Sequence, residues 1–272
     1  MSPVYRDLDV AALHLEYLPS LRVPNFAEVL RDCAERGVVA RQSLPTHRVS
    51  YGDHPDEWLW YTPAAHTGAP LIVFIHGGYW HLLSADDGSF LAPAAVRAGC
   101  AFASVNYTLC PNAPISTLVD QVRTAVELLV APGDLTHDRS AVHVIGHSAG
   151  AHLAASIADE ALGVAGYVFM SGVFDIRPLV HTPDNDDIRL TDDDASRWSP
   201  QLHPSRIGSV PALVAWGADE SSEFERQSRE WANKIEADIV VSPDRNHFDV
   251  LFDLFDASTA LGSAVLGQIG RS

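Results

Sequence analysis

The sequence of 272 residues predicts an α/β fold, with a mostly parallel central sheet and helices on both faces. Strand-like apolar runs alternate with helix-compatible segments through most of the chain, which is typical of this class. Two runs, 70–75 and 211–216, are almost continuously apolar and suit strands buried on both faces of a parallel sheet. Hydrophobic residues make up 47% of the chain, enough for one large core. We therefore expect a single domain over residues 1–272.

The elements follow in order along the chain. Residues 1–45 are the least regular and are expected to form an N-terminal extension, with an amphipathic helix over 25–36 that covers part of a site or extends the core. Two strands, 47–52 and 57–62, are joined by a hairpin-type turn. Further strands are expected at 70–75, 101–106, 142–145, 166–170, 211–216 and 239–241, and helices at 87–98, 116–130, 151–160, 223–235 and from 247 onward. The acidic residues 174–205 interrupt this alternation and predict a small cap-like insertion after the sixth strand.

Composition argues against several classes of function. The net charge of −17 disfavours a nucleic-acid partner and an anionic membrane surface. Three cysteines are too few and too scattered for a disulfide framework. The sequence carries no signal-peptide pattern and no apolar run of membrane-spanning length, so a soluble, cytoplasmic protein is expected. Without a G-x-G-x-x-G or Walker A pattern, no cofactor is expected.

The segment 142–150 places the residues Gly-His-Ser-Ala-Gly between a β-branched run and a helix-compatible run. This is a G-x-S-x-G pattern in a strand–turn–helix context, which lifts Ser148 above the sheet edge as a nucleophile. Gly146 and Gly150 are expected because a Cβ at either position would collide with the neighbouring strand or helix. The helix start behind Ser148 supplies N–H groups beside a developing oxyanion.

A serine nucleophile needs a base within hydrogen-bond reach and an acid that orients the base. The order serine, acid, histidine, each after a strand, is that of the α/β-hydrolases. Asp219 follows the strand 211–216 and His247 follows the strand 239–241, so we expect Asp219 as the acid and His247 as the base. The competing acids are Glu220, Asp244 and Asp249. Other histidines are expected to pack, bond locally or face solvent: His143, His147, His152, His181 and His203.

The loop after the run 70–75 carries the residues His-Gly-Gly-Tyr-Trp at 76–80. Its glycines allow backbone N–H groups to turn inward, so Gly78 and Tyr79, with Ala149, are expected as oxyanion-hole donors. His76 is expected to brace this loop. A metal cluster of His76, His81, Asp86 and Asp87 is the alternative, but its spacing fits no usual zinc pattern, and no metal is expected.

Several segments resemble the kynurenine formamidase (arylformamidase) branch of the α/β-hydrolases. Residues 76–80 are similar to that family's His-Gly-Gly-x-Trp signature. The similar segments cover most of the chain: Glu16-Tyr17, Pro19-Ser20, residues 171–179, Asp194-Ala195, Ser199-Pro200, Glu223-Phe224, Gln227-Ser228 and His247-Phe248-Asp249. The resemblance implies the α/β-hydrolase fold, the triad Ser148, Asp219 and His247, and the oxyanion donors Gly78, Tyr79 and Ala149. It also makes a homodimer plausible.

The activity implied by the resemblance is metal-independent hydrolysis of N-formyl-L-kynurenine to L-kynurenine and formate through a formyl-serine. The alternatives are a carboxylesterase or amidase acting on another small aryl substrate, and a non-catalytic binding protein on the same fold. The insertion is strongly acidic for a substrate that carries a carboxylate, and Arg177 or Arg189 is expected to compensate. Aromatic residues expected in the substrate pocket are Trp80, Phe174, Trp198 and Phe248.

Overall fold

The computed structural model describes residues 3–204 and 207–270. Its strands are β1 (His47–Ser50), β2 (Trp58–Thr62), β3 (Leu71–Ile75), β4 (Ala101–Val105), β5 (Val142–His147), β6 (Gly166–Met170), β7 (Ala212–Gly217) and β8 (Asp238–Ser242). They form one sheet in the order β1-β2-β4-β3-β5-β6-β7-β8. The β1–β2 and β2–β4 pairs are antiparallel and the others are parallel, as the alternation along the sequence predicted.

Ten α-helices occur in the described residues. They are α1 (Val10–Tyr17), α2 (Phe26–Ser43), α3 (Ala85–Gly88), α4 (Ala92–Arg97), α5 (Ile115–Val130), α6 (Ala149–Ile157), α7 (Asn185–Ile188), α8 (Asp192–Arg197), α9 (Ser222–Ile235) and α10 (Ala260–Ile269). Short 3₁₀ turns cover Pro19–Leu21, Ser89–Leu91, Glu160–Leu162, Arg177–His181 and Asp249–Asp253. Within the described chain, no helix combines the length and apolarity needed to cross a membrane.

Apolar side chains of the sheet form a core on each face. Alternate residues of β3 separate cleanly: Val73 packs into the core beneath α5, α6 and α9, and Phe74 packs into the core beneath α4 and α10. This separation follows from the two-residue period of a strand. The central strands β3, β4 and β6 are buried along their whole length. The expectation of strands covered on both faces is confirmed.

The sequence interpretation was wrong at the two ends of the chain. Helix α1 was missed, and α2 is longer than the predicted segment 25–36. The predicted final helix does not begin at His247, because only a 3₁₀ turn follows it and α10 begins at Ala260. The side chain of Thr259 fixes this start by accepting a hydrogen bond from the Gly262 N–H.

The predicted insertion after β6 consists of a 3₁₀ turn and the short helices α7 and α8. Its last predicted residue, 205, lies outside the described residues. Asp175 anchors the segment to the N-terminal extension, since the Tyr5 hydroxyl donates to its carboxylate at 2.9 Å. Asp194 caps α8 together with Thr191, which shows that one of the insertion's acids stabilises a local turn.

Candidate active site

Ser148 stands alone between β5 and α6, at a sharp turn of the backbone. Its φ and ψ are 55° and −121°, and its N–H donates to the Met170 carbonyl at 2.9 Å. This left-handed conformation is strained for a residue with a Cβ and is typical of functional turns. A Cβ on Gly146 would lie 2.3 Å from the Gly150 carbonyl oxygen, and one on Gly150 would lie 2.1 Å from the Ile75 carbonyl oxygen. The predicted reason for both glycines is confirmed.

His247 lies in the loop after β8 and reaches Ser148 across the sheet edge. Its Nε2 is 3.0 Å from Ser148 Oγ, and its ring packs against Phe224 with 4.7 Å between centroids. The neighbouring His147 donates from Nε2 to the His247 carbonyl at 2.8 Å. Burial, together with the nearby His247, lowers the pKa of His147 to about 3, so His147 is neutral and acts here as a hydrogen-bond donor.

The carboxylate at His247 belongs to Glu220, so the expected contact of Asp219 with the base is wrong. Glu220 Oε2 lies 2.7 Å from His247 Nδ1. Glu220 Oε1 accepts hydrogen bonds from the Ser171 hydroxyl at 2.6 Å and from the Gly217 N–H at 2.8 Å. Asp219 is exposed. Its backbone N–H donates to the Arg245 carbonyl at 3.0 Å.

The other two competing acids do not contact His247 either. Asp249 accepts from the Asn246 backbone and side-chain amides, at 2.7 and 2.8 Å, and so closes the turn after the base. Asp244 is exposed in a left-handed turn conformation with φ of 56°. Three hydrogen bonds to a side chain that is only 1% exposed therefore single out Glu220 among the acids near the ends of β7 and β8.

The loop after β3 approaches Ser148 closely. A Cβ on Gly77 would lie 2.9 Å from the Ser148 Cβ, so glycine is needed for this approach. The next three residues, Gly78, Tyr79 and Trp80, have φ values of 98°, 48° and 61°. Among the described residues, no acceptor receives a hydrogen bond from the N–H of Gly78, Tyr79 or Ala149. These three donors remain available at the edge of the sheet where Ser148 lies.

His76 holds this loop through its Nδ1, while its buried Nε2 has no hydrogen-bond partner among the described residues. Its Nδ1 donates to the Gly77 carbonyl at 2.8 Å, and its ring stacks on Tyr107 with 4.3 Å between centroids. The Tyr107 hydroxyl donates to the His76 carbonyl at 2.8 Å. Burial lowers the pKa of His76 to about 4, so its ring is neutral. This geometry agrees with the predicted brace.

The four residues of the alternative metal cluster have separate partners. His76 holds the Gly77 carbonyl, and Asp87 caps α3 by accepting from the Ser84 N–H at 2.9 Å. Asp86 accepts from Trp60 Nε1 at 2.6 Å, and His81 Nδ1 lies 3.8 Å from the Asp187 carboxylate. The four side chains are thus spread over different contacts and are not gathered into one ligand set.

A cavity of about 220 Å³ opens onto Ser148 and His247. The loop after β3 and the 3₁₀ turn after His247 form its walls. Helix α2 supplies the opposite wall with four side chains at helical spacing: Phe26, Val29, Leu30 and Cys33. The N-terminal extension therefore covers the site, which was one of the two roles expected for it.

Of the four aromatic residues predicted in the substrate pocket, one lines the cavity and three do not. Phe248 lines the cavity and lies against Phe26, with 5.9 Å between ring centroids. Trp80 is fully buried against Tyr79 and His152, and Phe174 is buried between Phe169 and Trp231. Trp198 lies further away, where its carbonyl accepts from His152 Nε2 at 2.6 Å. The expectation was wrong for Trp80, Phe174 and Trp198, because the first two are fully buried in the core and Trp198 packs against it, and none of the three lines the cavity.

Sequence reasoning left open whether α2 covers the site or only extends the core, and it did not assign the apolar residues of this helix to the pocket wall. The signal was present, since Phe26, Val29, Leu30 and Cys33 repeat at helical spacing in the sequence. An amphipathic helix shows which face is buried, but not what that face covers. Only the tertiary packing of α2 against the rest of the domain places this face on the cavity that Ser148 lines.

Comparison with known proteins places this site in a family. A family model described as alpha/beta hydrolase fold matches residues 72–243. A kynurenine formamidase of Danio rerio is 30% identical, over 98% of this chain and 99% of its own length. The chain belongs to the kynurenine formamidase family. A second family member, a kynurenine formamidase of Salmo salar, is 29% identical over 92% of this chain and 90% of its own length.

A solved structure gives a further comparison. A proposed thioesterase from Silicibacter sp. TM1040 superposes with a TM-score of 0.83 and is 27% identical, covering 93% of this chain and 98% of its own. Both comparisons agree with the α/β-hydrolase fold predicted from the elbow and the strand order, and they support hydrolase activity for this family member.

Proposed function

We propose that this protein is a serine hydrolase that cleaves an aryl formamide, N-formyl-L-kynurenine, to L-kynurenine and formate. The observation that carries the proposal is the continuous hydrogen-bond chain from Ser148 through His247 to Glu220, at the opening of an apolar cavity. The near full-length similarity to a kynurenine formamidase of Danio rerio supports the choice of substrate.

Acylation begins with proton transfer from Ser148 to His247. Nε2 lies 3.0 Å from Oγ, within reach of a general base. Oγ then attacks the formyl carbon, and the carbonyl oxygen becomes an oxyanion. The free N–H groups of Gly78, Tyr79 and Ala149 would stabilise that charge. Glu220, buried beside Nδ1, stabilises the imidazolium and fixes the tautomer with an unprotonated Nε2.

The intermediate collapses when His247 returns its proton to the arylamine nitrogen. The C–N bond breaks, the amine leaves, and a formyl group remains on Ser148. A water molecule then gives a proton to His247 and attacks the formyl carbon, and the second collapse releases formate and restores the Ser148 hydroxyl. Conjugation of the nitrogen with the ring weakens the amide, so a site built for esters can cleave it.

The cavity supports an aromatic leaving group. Phe26, Leu30 and Phe248 give it apolar walls on two sides, and formyl is the smallest acyl group, which needs little space at Ser148. Helix α2 supplies one of these walls, and the exclusion of bulk water by a bound substrate would strengthen the hydrogen bonds to the oxyanion.

Hydrolysis of another small aryl ester is the second candidate function. The similarity to a proposed thioesterase favours it, because thioesters and esters pass through the same acyl-serine chemistry. The apolar walls of the cavity would accept such substrates as well. The two candidates differ only in the leaving group and in what the cavity recognises.

The test is a paired assay of the purified protein. N-formyl-L-kynurenine is supplied and kynurenine is followed by its absorbance, beside an aryl acetate, with Ser148→Ala as the blank. A larger kcat/KM for the formamide than for the ester supports the proposal. Rapid ester cleavage without kynurenine release would contradict the formamide assignment, and undiminished formamide cleavage by Ser148→Ala would contradict the serine mechanism.

A further inference from the structure

The loop that carries two of the oxyanion donors, residues 76–80, is tied to the N-terminal extension. The Tyr79 side chain is buried, and its hydroxyl donates to the carbonyl of Tyr17, the last residue of α1. Burial raises the pKa of the Tyr79 phenol well above its ordinary value, so the hydroxyl keeps its proton and remains a donor. The backbone N–H of the same residue points to the oxyanion role. One side chain thus links the oxyanion hole to a helix that lies 62 residues earlier in the chain.

The backbone of this loop needs support of that kind. Tyr79 and Trp80 have φ values of 48° and 61°, in the left-handed region that costs free energy for residues with a Cβ. The Trp80 ring is fully buried against His152, and the Trp80 carbonyl accepts from the Cys110 N–H at 2.8 Å. The corresponding side-chain anchor of Tyr79 is its hydrogen bond to Tyr17. Without that bond, the Tyr79 peptide could relax and its N–H would lose its fixed direction.

The end of α1 also contacts the turn that carries the acid of the triad. The Glu16 carbonyl accepts from the Ser221 hydroxyl at 2.6 Å, and Ser221 directly follows Glu220. The Glu16 carboxylate accepts from the Ser222 hydroxyl at 2.8 Å and from the Glu223 N–H at 3.1 Å. The last carbonyls of an α-helix have no partner within the helix. The two final carbonyls of α1 are therefore satisfied by hydroxyls from two different segments of the active site.

Tyr17 is itself fixed from α9. Its hydroxyl donates to the Glu223 carboxylate at 2.7 Å and accepts from Gln227 Nε2 at 2.6 Å. The other side of Gln227 accepts from the backbone N–H groups of Phe174 and Asp175, at 2.7 Å each. Tyr17 is only 1% exposed, so these hydrogen bonds are shielded from water and hold the end of α1 in one position.

A second contact holds the start of the N-terminal extension. The Tyr5 hydroxyl donates to the Asp175 carboxylate at 2.9 Å. The same carboxylate forms a two-pronged ion pair with Arg177, at 2.7 and 2.9 Å. Arg177 therefore belongs to this anchor and does not line the cavity, where it was expected to meet a substrate carboxylate. The extension is thus fixed both before and at the end of α1.

We propose that the carboxyl end of α1 positions the oxyanion hole, with Tyr17 and the Tyr79 hydroxyl as positioning groups for the Tyr79 N–H. This inference rests on the proposed function, because it concerns the same reaction. The N-terminal extension then has two tasks, since α2 supplies a wall of the cavity and α1 holds a donor in place. An oxyanion donor acts where negative charge develops in the transition state, so loss of this link should lower kcat and leave KM nearly unchanged.

Tyr79→Phe tests the proposal, because it removes one hydroxyl and keeps the ring. With active sites counted by fluorophosphonate titration, kcat for N-formyl-L-kynurenine should fall about tenfold or more, and KM should stay within about twofold. A phenyl trifluoromethyl ketone forms an oxyanion when the serine adds to it, so its affinity should fall by the same factor as kcat/KM. A role in stability alone would lower the number of active sites and leave kcat per site and the ketone affinity unchanged.

Tyr167→Phe is the matched control. Tyr167 is also buried, and its hydroxyl donates to the Asp159 carbonyl at 3.3 Å. It lies near the amino end of β6, at the opposite edge of the sheet from Ser148, so its kcat per site should be unchanged. Tyr17→Phe releases Tyr17 from α9 and should lower kcat severalfold in the wild type. The same change should add little in Tyr79→Phe, because the link is already broken there.

Unchanged kcat and ketone affinity in Tyr79→Phe would overturn the role of this link. An effect of Tyr17→Phe that is equally large with and without the Tyr79 hydroxyl would also overturn it. Because an ester passes through an oxyanion too, the rates are measured on an aryl acetate as well. A wild type that cleaves the acetate and not the formamide, with the acetate slowed in Tyr79→Phe, would overturn the proposed substrate and support the positioning role.

Discussion

Two adjacent carboxylates after β7 have different surroundings in this site, since one faces solvent and the other contacts His247. Asp219 and Glu220 both follow β7 and both carry a carboxylate. The backbone N–H of Glu220 donates to the Gly217 carbonyl at 3.1 Å, and this tight turn directs the longer side chain inward. Its two oxygens then receive three hydrogen bonds, one of them from His247.

Glu220→Gln should lower kcat by about 10²- to 10⁴-fold with little change in KM. The amide keeps an acceptor for Ser171 and Gly217, but it no longer stabilises the imidazolium of His247. Steady-state kinetics on an aryl formamide measures the effect.

Asp219→Asn is the matched control, because it changes the neighbouring carboxylate and leaves these hydrogen bonds intact. Its kcat should stay within about twofold of the wild type, since exposed substitutions away from the site have small effects. A large loss in Asp219→Asn with a mild effect of Glu220→Gln would return the acid to Asp219.

At the scale of elements, the turn between β5 and α6 depends on close approach of the backbones of β5, α6 and the end of β3. Gly150 lies in α6, yet a Cβ there would meet the carbonyl oxygens of Ile75 and His76 at 2.1 and 2.5 Å. Backbone atoms of a central strand cannot move aside cheaply. The glycine is thus required by packing between α6 and the end of β3, in addition to the conformation of the turn itself.

Gly150→Ala should reduce the free energy of unfolding by about 3 kcal/mol or more, because the added methyl forces α6 away from β3. Gly267→Ala is the contrasting variant in α10, where a Cβ meets nothing within 4 Å. It should stabilise the protein by about 0.5–1 kcal/mol through helix propensity alone. Urea denaturation of both variants measures these effects, and equal destabilisation would contradict the packing argument.

Helix α2 has one face over the cavity and another toward solvent. Leu30 lines the cavity, whereas Val39 on the same helix is 62% exposed. The element thus acts as a wall of the site, although it lies more than a hundred residues from Ser148 in sequence.

Leu30→Trp should lower kcat/KM for an aryl formamide by about tenfold or more, because the larger ring fills a cavity of about 220 Å³. Val39→Trp adds the same side chain outside the cavity and should leave kcat/KM unchanged. Unfolding curves of both variants distinguish blocked access from lost stability. An unaffected rate in correctly folded Leu30→Trp would show that substrate enters by another route.

At the scale of the whole molecule, several histidines are buried in the neutral form. Burial lowers their pKa to about 4 for three of them and about 3 for the fourth: His76, His143, His152 and His147. As the pH falls below about 6.5, the unfolded chain binds protons at these positions and the folded chain does not. The contribution of these neutral histidines to the free energy of unfolding is therefore fully present above this pH and is lost progressively as the pH falls toward 4.

The free energy of unfolding should accordingly fall between pH 7.5 and 5.5, by about 1 kcal/mol for each of these histidines. His152→Gln should reduce this fall by about 1 kcal/mol, because it removes one such group. His203→Asn, at an exposed position, should leave it unchanged. Urea titrations at the two pH values give both differences. A fall of the same size in His152→Gln and in the wild type would contradict the assignment.

The sequence by itself determined the fold class, the elbow, Ser148 and His247. These follow from local causes: apolar runs set buried strands, and the glycines at 146 and 150 are the residues that a tight strand–turn–helix permits. The brace at His76 could also be predicted, because it acts on the residue next to it.

Only the tertiary structure decided which carboxylate meets His247, which aromatics reach the cavity and what α2 covers. Each depends on the direction of a side chain after distant segments have packed, and a one-residue shift at a strand end reverses that direction. Asp219 and Glu220 are adjacent acids that the sequence pattern does not distinguish. A single turn after β7 leaves the first in solvent and brings the second to the base. The two ends of α7 differ in the same way, since Asp184, just before the helix, lines the cavity, whereas Arg189, just after it, is exposed to solvent.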